Sequence, residues 1–506
     1  MATDYQKLID DALSRVYDVA NVTALDLAPQ SSRLLDNRVW LKREDQQPVF
    51  SYKLRGAYNM MATLADQARQ RGVVAASAGN HAQGVGLAAA RLSLSALIVM
   101  PKTTPEIKIN AVRRLGAEVV LHGNTYDEAS DHATDLARRT GRSFIPPYDH
   151  PLVIAGQATV GVEILRQLDH APDFIFVPVG GGGLIAGIAA HVKRVSPVVR
   201  IIGVEPDEAA CMHAAFQAGM PVELERIGIF ADGAAVKRAG DETYRICREL
   251  VDQIILVDND EICAAVKDMF EDTRSIPEPA GALALAGLKQ YVTTHGLSDR
   301  SLVAIFSGAN VNFDRLRHIA ELAALGEQRE ALICITIPER PGSFRALCHD
   351  LGARLITEFN YRYADTEQAR VFVGVQLRHG LQEKEQLLAS LGDKGYEVVD
   401  MSRNELAKMH VRYMIGGRAP ASDDELLYRF EFPERSGALL QFLGLMEGRW
   451  NISLFHYRNH GAAYGRVLMG IQVPRHDHDE FRAFLGRLEM AMWEETGNPA
   501  YHLFLR

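Results

Sequence analysis

The sequence predicts an α/β protein: a large region of two subdomains built on parallel sheets, followed by two βαββαβ ferredoxin-like modules. Two observations predict it. Up to about residue 325, short apolar runs alternate with amphipathic stretches, the pattern of parallel strands covered by helices. Beyond about residue 326 the chain repeats itself. A length of 506 residues, at roughly 150 per domain, leaves room for about three domains.

In chain order, Val73–Ala76, Ala96–Met100, Glu118–Leu121, Phe174–Val179, Ile201–Glu205 and Leu302–Phe306 read as strands. Ala82–Arg91, Glu106–Leu115, Asp127–Arg139 and Leu184–Val195 read as helices between them. More than 300 residues is large for one sheet, so residues 1–325 are expected to form two subdomains with a cleft between them, the smaller spanning roughly 50–155. Arg315–Leu325 reads as a helical connector. The repeat is then explicit. Pro338-Glu-Arg340 returns as Pro433-Glu-Arg435, 95 residues on, and Ile356-Thr-Glu-Phe-Asn-Tyr-Arg362 returns as Ile452-Ser-Leu-Phe-His-Tyr-Arg458, 96 on. Two linked matches in nearly one register indicate a duplication. Each copy reads strand, helix, strand, strand, helix, strand, placing one module at 330–402 and the other at 425–506. Such modules either build an oligomer interface or hold a ligand.

Composition narrows the function. Hydrophobic residues make up 47%, charged residues 24%, and the net charge is −9 with no basic block. That argues against a nucleic-acid or anionic-membrane partner. No apolar run approaches the ~20 residues of a membrane span. Five cysteines, Cys211, Cys247, Cys263, Cys334 and Cys348, show no metal-type spacing, and no leader is evident. A cytoplasmic protein with free thiols is expected.

Three segments carry chemistry. Ser51-Tyr52-Lys53-Leu54-Arg55-Gly56-Ala57 sets a lysine among apolar neighbours, which suits Schiff-base chemistry, although an isolated lysine is ordinarily solvated. Ser77-Ala78-Gly79-Asn80-His81 follows a strand and opens a helix, offering free backbone N–H groups to a carboxylate or phosphate; the plain alternative is a capping loop. Gly180-Gly181-Gly182-Gly183-Leu184 carries a large entropic cost that close approach of a phosphate would explain. Gly181-x-Gly183-x-x-Ala186, with Glu205 ending the next strand, also fits a dinucleotide fingerprint. That reading leaves the lysine and Asn-His segments unused, whereas a phosphate-bearing aldehyde cofactor uses all three.

Together with Glu278-Pro279-Ala280-Gly281-Ala282 and Ser307-Gly308-Ala309-Asn310, these segments resemble, in order, the fold-type II pyridoxal-phosphate enzymes. Pro338–Gly342 and Glu358–Arg362 are similar to the paired ACT-like regulatory signatures of the biosynthetic threonine dehydratase family within that class. The resemblance covers nearly the whole chain.

It implies pyridoxal 5′-phosphate held covalently by Lys53, which later acts as base at Cα. Asn80 would bond the cofactor's 3′-hydroxyl, the amides of Gly180, Gly181, Gly182, Gly183 and Leu184 its phosphate, and Ser307 the ring nitrogen. Ser77, Ala78, Gly79, Asn80 and His81 would hold the substrate carboxylate, with Glu278 on the substrate side and His81 as packing. The implied reaction converts L-threonine to 2-oxobutanoate and ammonia for isoleucine synthesis, with L-serine dehydration or β-replacement as the alternative. L-isoleucine would inhibit, and L-valine is a candidate activator, through Glu358, Phe359, Asn360, Tyr361 and Arg362. A homo-oligomer, dimer or tetramer, is implied. Serine racemases of this fold carry serine where Ala78 stands, so racemisation is expected to be poor. Cys211 stands where relatives place a metal-ligating aspartate, so no metal is expected.

Overall fold

The computed structural model describes residues 3–338, 343–352, 354, 356–361, 367–413, 424–433, 449–458, 464–488 and 490–505. It divides into two units, Met1–Ala323 and Ala324–Arg506.

In the first unit the apolar runs form two sheets. The larger has six strands in the order Leu25–Leu27, Arg38–Arg43, Ser301–Phe306, Phe174–Pro178, Arg200–Pro206 and Gln253–Val257. Only its first pair is antiparallel. The smaller has four parallel strands, ordered Glu118–Leu121, Ala96–Met100, Val73–Ala76 and Ser143–Phe144. Central strands such as Val73–Ala76 and Phe174–Pro178 are buried throughout, as continuous apolar runs covered on both faces should be.

Arg38–Arg43 escapes an apolar-run search because it ends in Lys42 and Arg43, both buried. Those charges are compensated within the core. Arg55, fully buried, makes two 2.8 Å bonds to the Glu44 carboxylate and bonds of 2.6 and 3.1 Å to Glu163. Lys42 Nζ donates to Glu163 at 2.6 Å, and Thr23 donates to Glu44 at 2.6 Å. Two cations thus meet two carboxylates. Burial alone would raise the Glu44 pKa, but the Arg55 charge and hydrogen bonds, with Lys42, hold it below the ordinary range.

Arg55 lies on the helix Lys53–Ala62, and Glu163 on the helix Pro151–Gln167. These helices cross at glycine: a Cβ on Gly156 would stand 2.7 Å from Arg55 O and from Gly56 Cα. Ion pairing and close backbone contact therefore fix the start of the lysine helix together.

The second unit shows the duplication in its hydrogen bonds. Each module has a four-stranded antiparallel sheet. One is ordered Ile356–Tyr361, Gln368–Gln376, Glu330–Pro338, Glu397–Asp400; the other Asn451–Arg458, Tyr464–Gln472, Glu425–Pro433, Met492–Glu494. The first module has its two helices, Ser343–Leu351 and Gly380–Asp393, in βαββαβ order. In the second, His478–Gly486 is described, and the stretch expected to hold the other helix lies outside the described residues.

A register shift falls between Ile356 and Glu358 in one copy and between Ile452 and Leu454 in the other. Leu332 N donates to Ser402 Oγ at 3.1 Å, and Leu427 N to Thr496 Oγ1 at 3.0 Å. Asn404 and Asn498 cap corresponding helices and bond to each other at 3.2 Å. Glu358, Phe359, Asn360 and Tyr361 lie on the strand Ile356–Tyr361, whereas Arg362 and most of the Pro338–Gly342 signature lie outside the described residues.

Candidate active site

Lys53 begins its helix and is half-buried, with Nζ donating to Pro147 O at 3.2 Å. The next residue, Tyr148, lays its ring on the glycine loop: a Cβ on Gly181 would stand 2.3 Å from it. Residues 147–148 thereby contact both Lys53 and the glycine loop.

Ser77–Gly79 leaves the carboxyl end of Val73–Ala76, and the helix Asn80–Leu92 starts there, where ligands of parallel sheets bind. A Cβ on Gly84 would meet Leu54 N at 3.0 Å, so this helix packs directly on the start of the lysine helix. Ser77 Oγ accepts from Gly79 N at 3.2 Å, which leaves the Ala78, Asn80 and His81 amides without acceptors among the described residues. His81 is buried, its Nε2 2.8 Å from Ile145 O, and desolvation pushes its pKa down to about 4. It is a neutral packing residue.

Gly182 has φ +93°, the left-handed conformation that glycine adopts without strain. It caps the 13-residue helix Gly183–Val195. The amides of Gly181, Gly182, Gly183 and Leu184 have no acceptor among the described residues, which leaves an anion cradle at a helix N-terminus. Thr243 Oγ1 donates to Gly181 O at 2.6 Å and holds the loop from behind.

Ser307 ends the strand Ser301–Phe306; it is buried and donates to Ala280 O at 3.2 Å. Its carbonyl accepts from Tyr52 N at 3.4 Å, which ties it to the lysine segment. Glu278 caps the helix Pro279–His295 and accepts from Asn80 Nδ2 at 2.5 Å. Direct contacts therefore link the segments that carry residues 53, 80, 180–184, 278 and 307.

The donors fit pyridoxal phosphate: unengaged amides for a phosphate, a lysine amine for an aldehyde, and the Ser307 hydroxyl, which would turn its one hydrogen from Ala280 O to a ring nitrogen. The dinucleotide reading does not survive. Glu205 is fully buried and accepts from Met212 N and His213 N, both at 2.8 Å, so it caps the helix Cys211–Ala218 instead of facing a ribose. Burial pushes its pKa up to about 8 against the pull of those amides. Cys211 Sγ donates to Gly180 O at 3.4 Å. Among the described residues no group of three or more His, Cys, Asp or Glu could hold a metal.

Sequence reasoning missed the segment 228–240. Ala234 lies against Gly180, and Gly233 lies over Glu278 and Asn80. Two ion pairs tie this segment to the helices Glu106–Arg114 and Tyr126–Thr140, Asp232 to Lys108 at 2.5 Å and Lys237 to Asp127 at 2.7 Å. The signal was faint: charged residues far apart in sequence meet only across the cleft.

Burial, with the nearby Asp232 charge, pushes the Glu278 carboxyl up to about 7. Between the unfolded value of about 4.5 and 7 the folded chain binds more protons than the unfolded one, so this group's contribution to stability falls as pH rises. Glu278→Gln is expected to flatten the decline of Tm between pH 5 and 7. An unchanged slope in pH-dependent thermal melts of the cofactor-free protein would show that Glu278 is not its source.

The family described as pyridoxal-phosphate dependent enzyme matches residues 16–308, and the C-terminal regulatory domain of threonine dehydratase matches 321–411 and again 416–505. The biosynthetic L-threonine dehydratase of Escherichia coli is 54% identical over 490 residues, covering 97% of this chain and 95% of that one. Among solved structures, the processed threonine deaminase isoform 2 of Solanum lycopersicum superposes with a TM-score of 0.62 at 49% identity, covering 63% of this chain and 93% of that one. Maize serine racemase does so at 0.58 and 32%, covering 62% and 95%. Two parallel sheets followed by a duplicated antiparallel-sheet module agree with the family matches and with the full-length relative, and the chain belongs to the biosynthetic threonine dehydratase family of pyridoxal-phosphate-dependent enzymes.

Proposed function

We propose that the chain deaminates L-threonine to 2-oxobutanoate and ammonia, the committed step toward isoleucine, under inhibition by L-isoleucine bound to the duplicated modules. The observation that carries the reading is that contacts join the segments of Lys53, of the unengaged amides Gly181–Leu184, of Asn80 and of Ser307.

When bound, pyridoxal phosphate supplies the electron sink that makes the substrate Cα–H acidic. The amides of Gly180, Gly181, Gly182, Gly183 and Leu184 would hold its phosphate, Lys53 would carry it, and Asn80 and Ser307 would hold the two polar edges of its ring. Ser307 offers a neutral hydroxyl, which does not keep a ring nitrogen protonated as a carboxylate would. That weaker sink favours prompt loss of a β-substituent over transamination. The amides of Ala78, Asn80 and His81 receive the substrate carboxylate at the start of the helix Asn80–Leu92. Lys53 Nζ takes the Cα proton. The proton taken from Cα balances the one the β-hydroxyl needs to leave as water, and the released enamine is hydrolysed to the 2-oxo acid and ammonia. Ala78 has no exchangeable proton to deliver to the opposite face of Cα, which disfavours racemisation. Among the described residues, no helix is long and apolar enough to cross a membrane.

Regulation is read from the strand Ile356–Tyr361, where Phe359 pairs with Val373. Phe359 would offer apolar contact to a branched side chain, and Arg362 would pair with its carboxylate. The test combines both parts. The purified protein is expected to release 2-oxobutanoate from L-threonine faster than pyruvate from L-serine, with isoleucine inhibiting. Phe359→Ala is expected to keep isoleucine-free turnover near normal and to move the inhibition midpoint about tenfold higher, a loss of ~1.4 kcal/mol. Serine turnover equal to threonine's would defeat the substrate assignment. An unmoved midpoint would remove Phe359 from the effector site.

A further inference from the structure

Asn80 can present either end of its amide to a ligand, and two residues beside it decide which. Asn310 Nδ2 donates to Val49 O at 2.8 Å and to Asn80 Oδ1 at 2.7 Å. Asn80 Nδ2 donates to Glu278 Oε1 at 2.5 Å. A backbone carbonyl can only accept. Val49 O therefore forces Asn310 to point its NH2 inward, and the second hydrogen of that NH2 forces Asn80 to turn its oxygen toward Asn310. The Asn80 NH2 must then face Glu278, with one N–H left over.

From this chain of donors we infer that Asn310 is a positioning residue that fixes the direction of the Asn80 amide, so that Asn80 always offers the cofactor's ring oxygen a donor. The inference rests on the reading of Asn80 as the residue at that oxygen. An N–H favours the ring oxygen as an anion, whereas a flipped amide would offer a carbonyl oxygen and oppose it.

The surrounding charges do not substitute for Asn310. Asp232, the other carboxylate near Glu278, is held by Lys108 at 2.5 Å and Arg315 at 3.7 Å, and Lys53 Nζ is committed to Pro147 O. Glu278, whose carboxyl is pushed up to about 7, can accept from or, when protonated, donate to Asn80, so it does not orient the amide against a flip unaided. Of these groups, Asn310 alone donates to Asn80 Oδ1, and its other N–H is anchored on Val49 O. The adjoining backbone supports the placement: Ala309 N donates to Phe50 O at 2.9 Å, so residues 309–310 are docked on the segment that leads into Lys53.

The test uses the full chain loaded with pyridoxal phosphate. Asn310→Asp keeps the shape but has no N–H for Val49 O or Asn80 Oδ1. The pH midpoint of the visible absorption change is expected to rise by about one unit, and pyridoxal phosphate to bind about tenfold more weakly. Asn310→Ala, a smaller perturbation, is expected to move both in the same direction by less. A merely structural role would lower the Tm of the cofactor-free protein without moving the spectral midpoint, and that result overturns the inference. Asn80→Ala run in parallel separates the premises. If it shifts the midpoint and neither Asn310 variant does, the positioning role fails alone; if Asn80→Ala shifts nothing, the assignment of Asn80 fails and this inference with it.

Discussion

Lys53→Ala is expected to cut threonine turnover by a factor on the order of 10⁴ while leaving the fold intact. Two functions disappear with one amine: the group that carries the cofactor and the base that takes the Cα proton. What the fold loses is small. Lys53 is half-buried at the first position of its helix, and its described hydrogen bond is a single one to Pro147 O. Alanine is the best helix former, so stability should change by no more than about 0.5 kcal/mol. The measurement pairs steady-state turnover with borohydride reduction and peptide mapping. In the wild type the reduced cofactor should lie on the peptide containing Lys53, and in the variant it should be absent. Turnover within tenfold of wild type, or a label on another lysine, would remove Lys53 from the mechanism.

The second large effect belongs to the buried ion network. Glu163→Gln leaves Arg55 and Lys42 facing only the Glu44 carboxylate, with one positive charge uncompensated in a site closed to water. Breaking a buried pair in this way costs about 3–5 kcal/mol, because the remaining charge keeps its desolvation penalty without the attraction that offset it. The contrast is Asp135→Asn, which breaks the exposed pair with Arg139, 46% and 69% exposed, and should cost below about 0.5 kcal/mol. Denaturant unfolding of both variants tests the difference. Cofactor retention should fall with Glu163→Gln, since Arg55 lies two residues from Lys53 on the same helix. Equal, small losses in both variants would mean that water reaches the network and screens it.

Much of this was legible in one dimension. The strands with continuous apolar runs, the duplication and the lysine, Ser-Ala-Gly-Asn-His and glycine segments are local patterns, set by side-chain periodicity and by backbone conformations that few residues tolerate. Arg38–Arg43 was not legible, because its buried charges look like surface until Glu163 is placed against Lys42 and Asp26 and Asp45 against Arg43. Segment 228–240 was silent for a related reason: its ion pairs join Asp232 to Lys108 and Lys237 to Asp127, more than 100 residues away in each case.

The sequence by itself determined which elements form, where the chain repeats and which residue types could hold a phosphate and an aldehyde, since each depends on neighbours within a turn or a strand. Only the tertiary structure decided that Glu205 caps a helix instead of meeting a ribose, that Tyr148 closes on Gly181, and that Asn310 sets the direction of Asn80. Each of those outcomes depends on hydrogen-bond direction or contact between segments far apart in the chain. Such relations have no period and no composition, so they exist only once the backbone has brought the groups within about 3 Å.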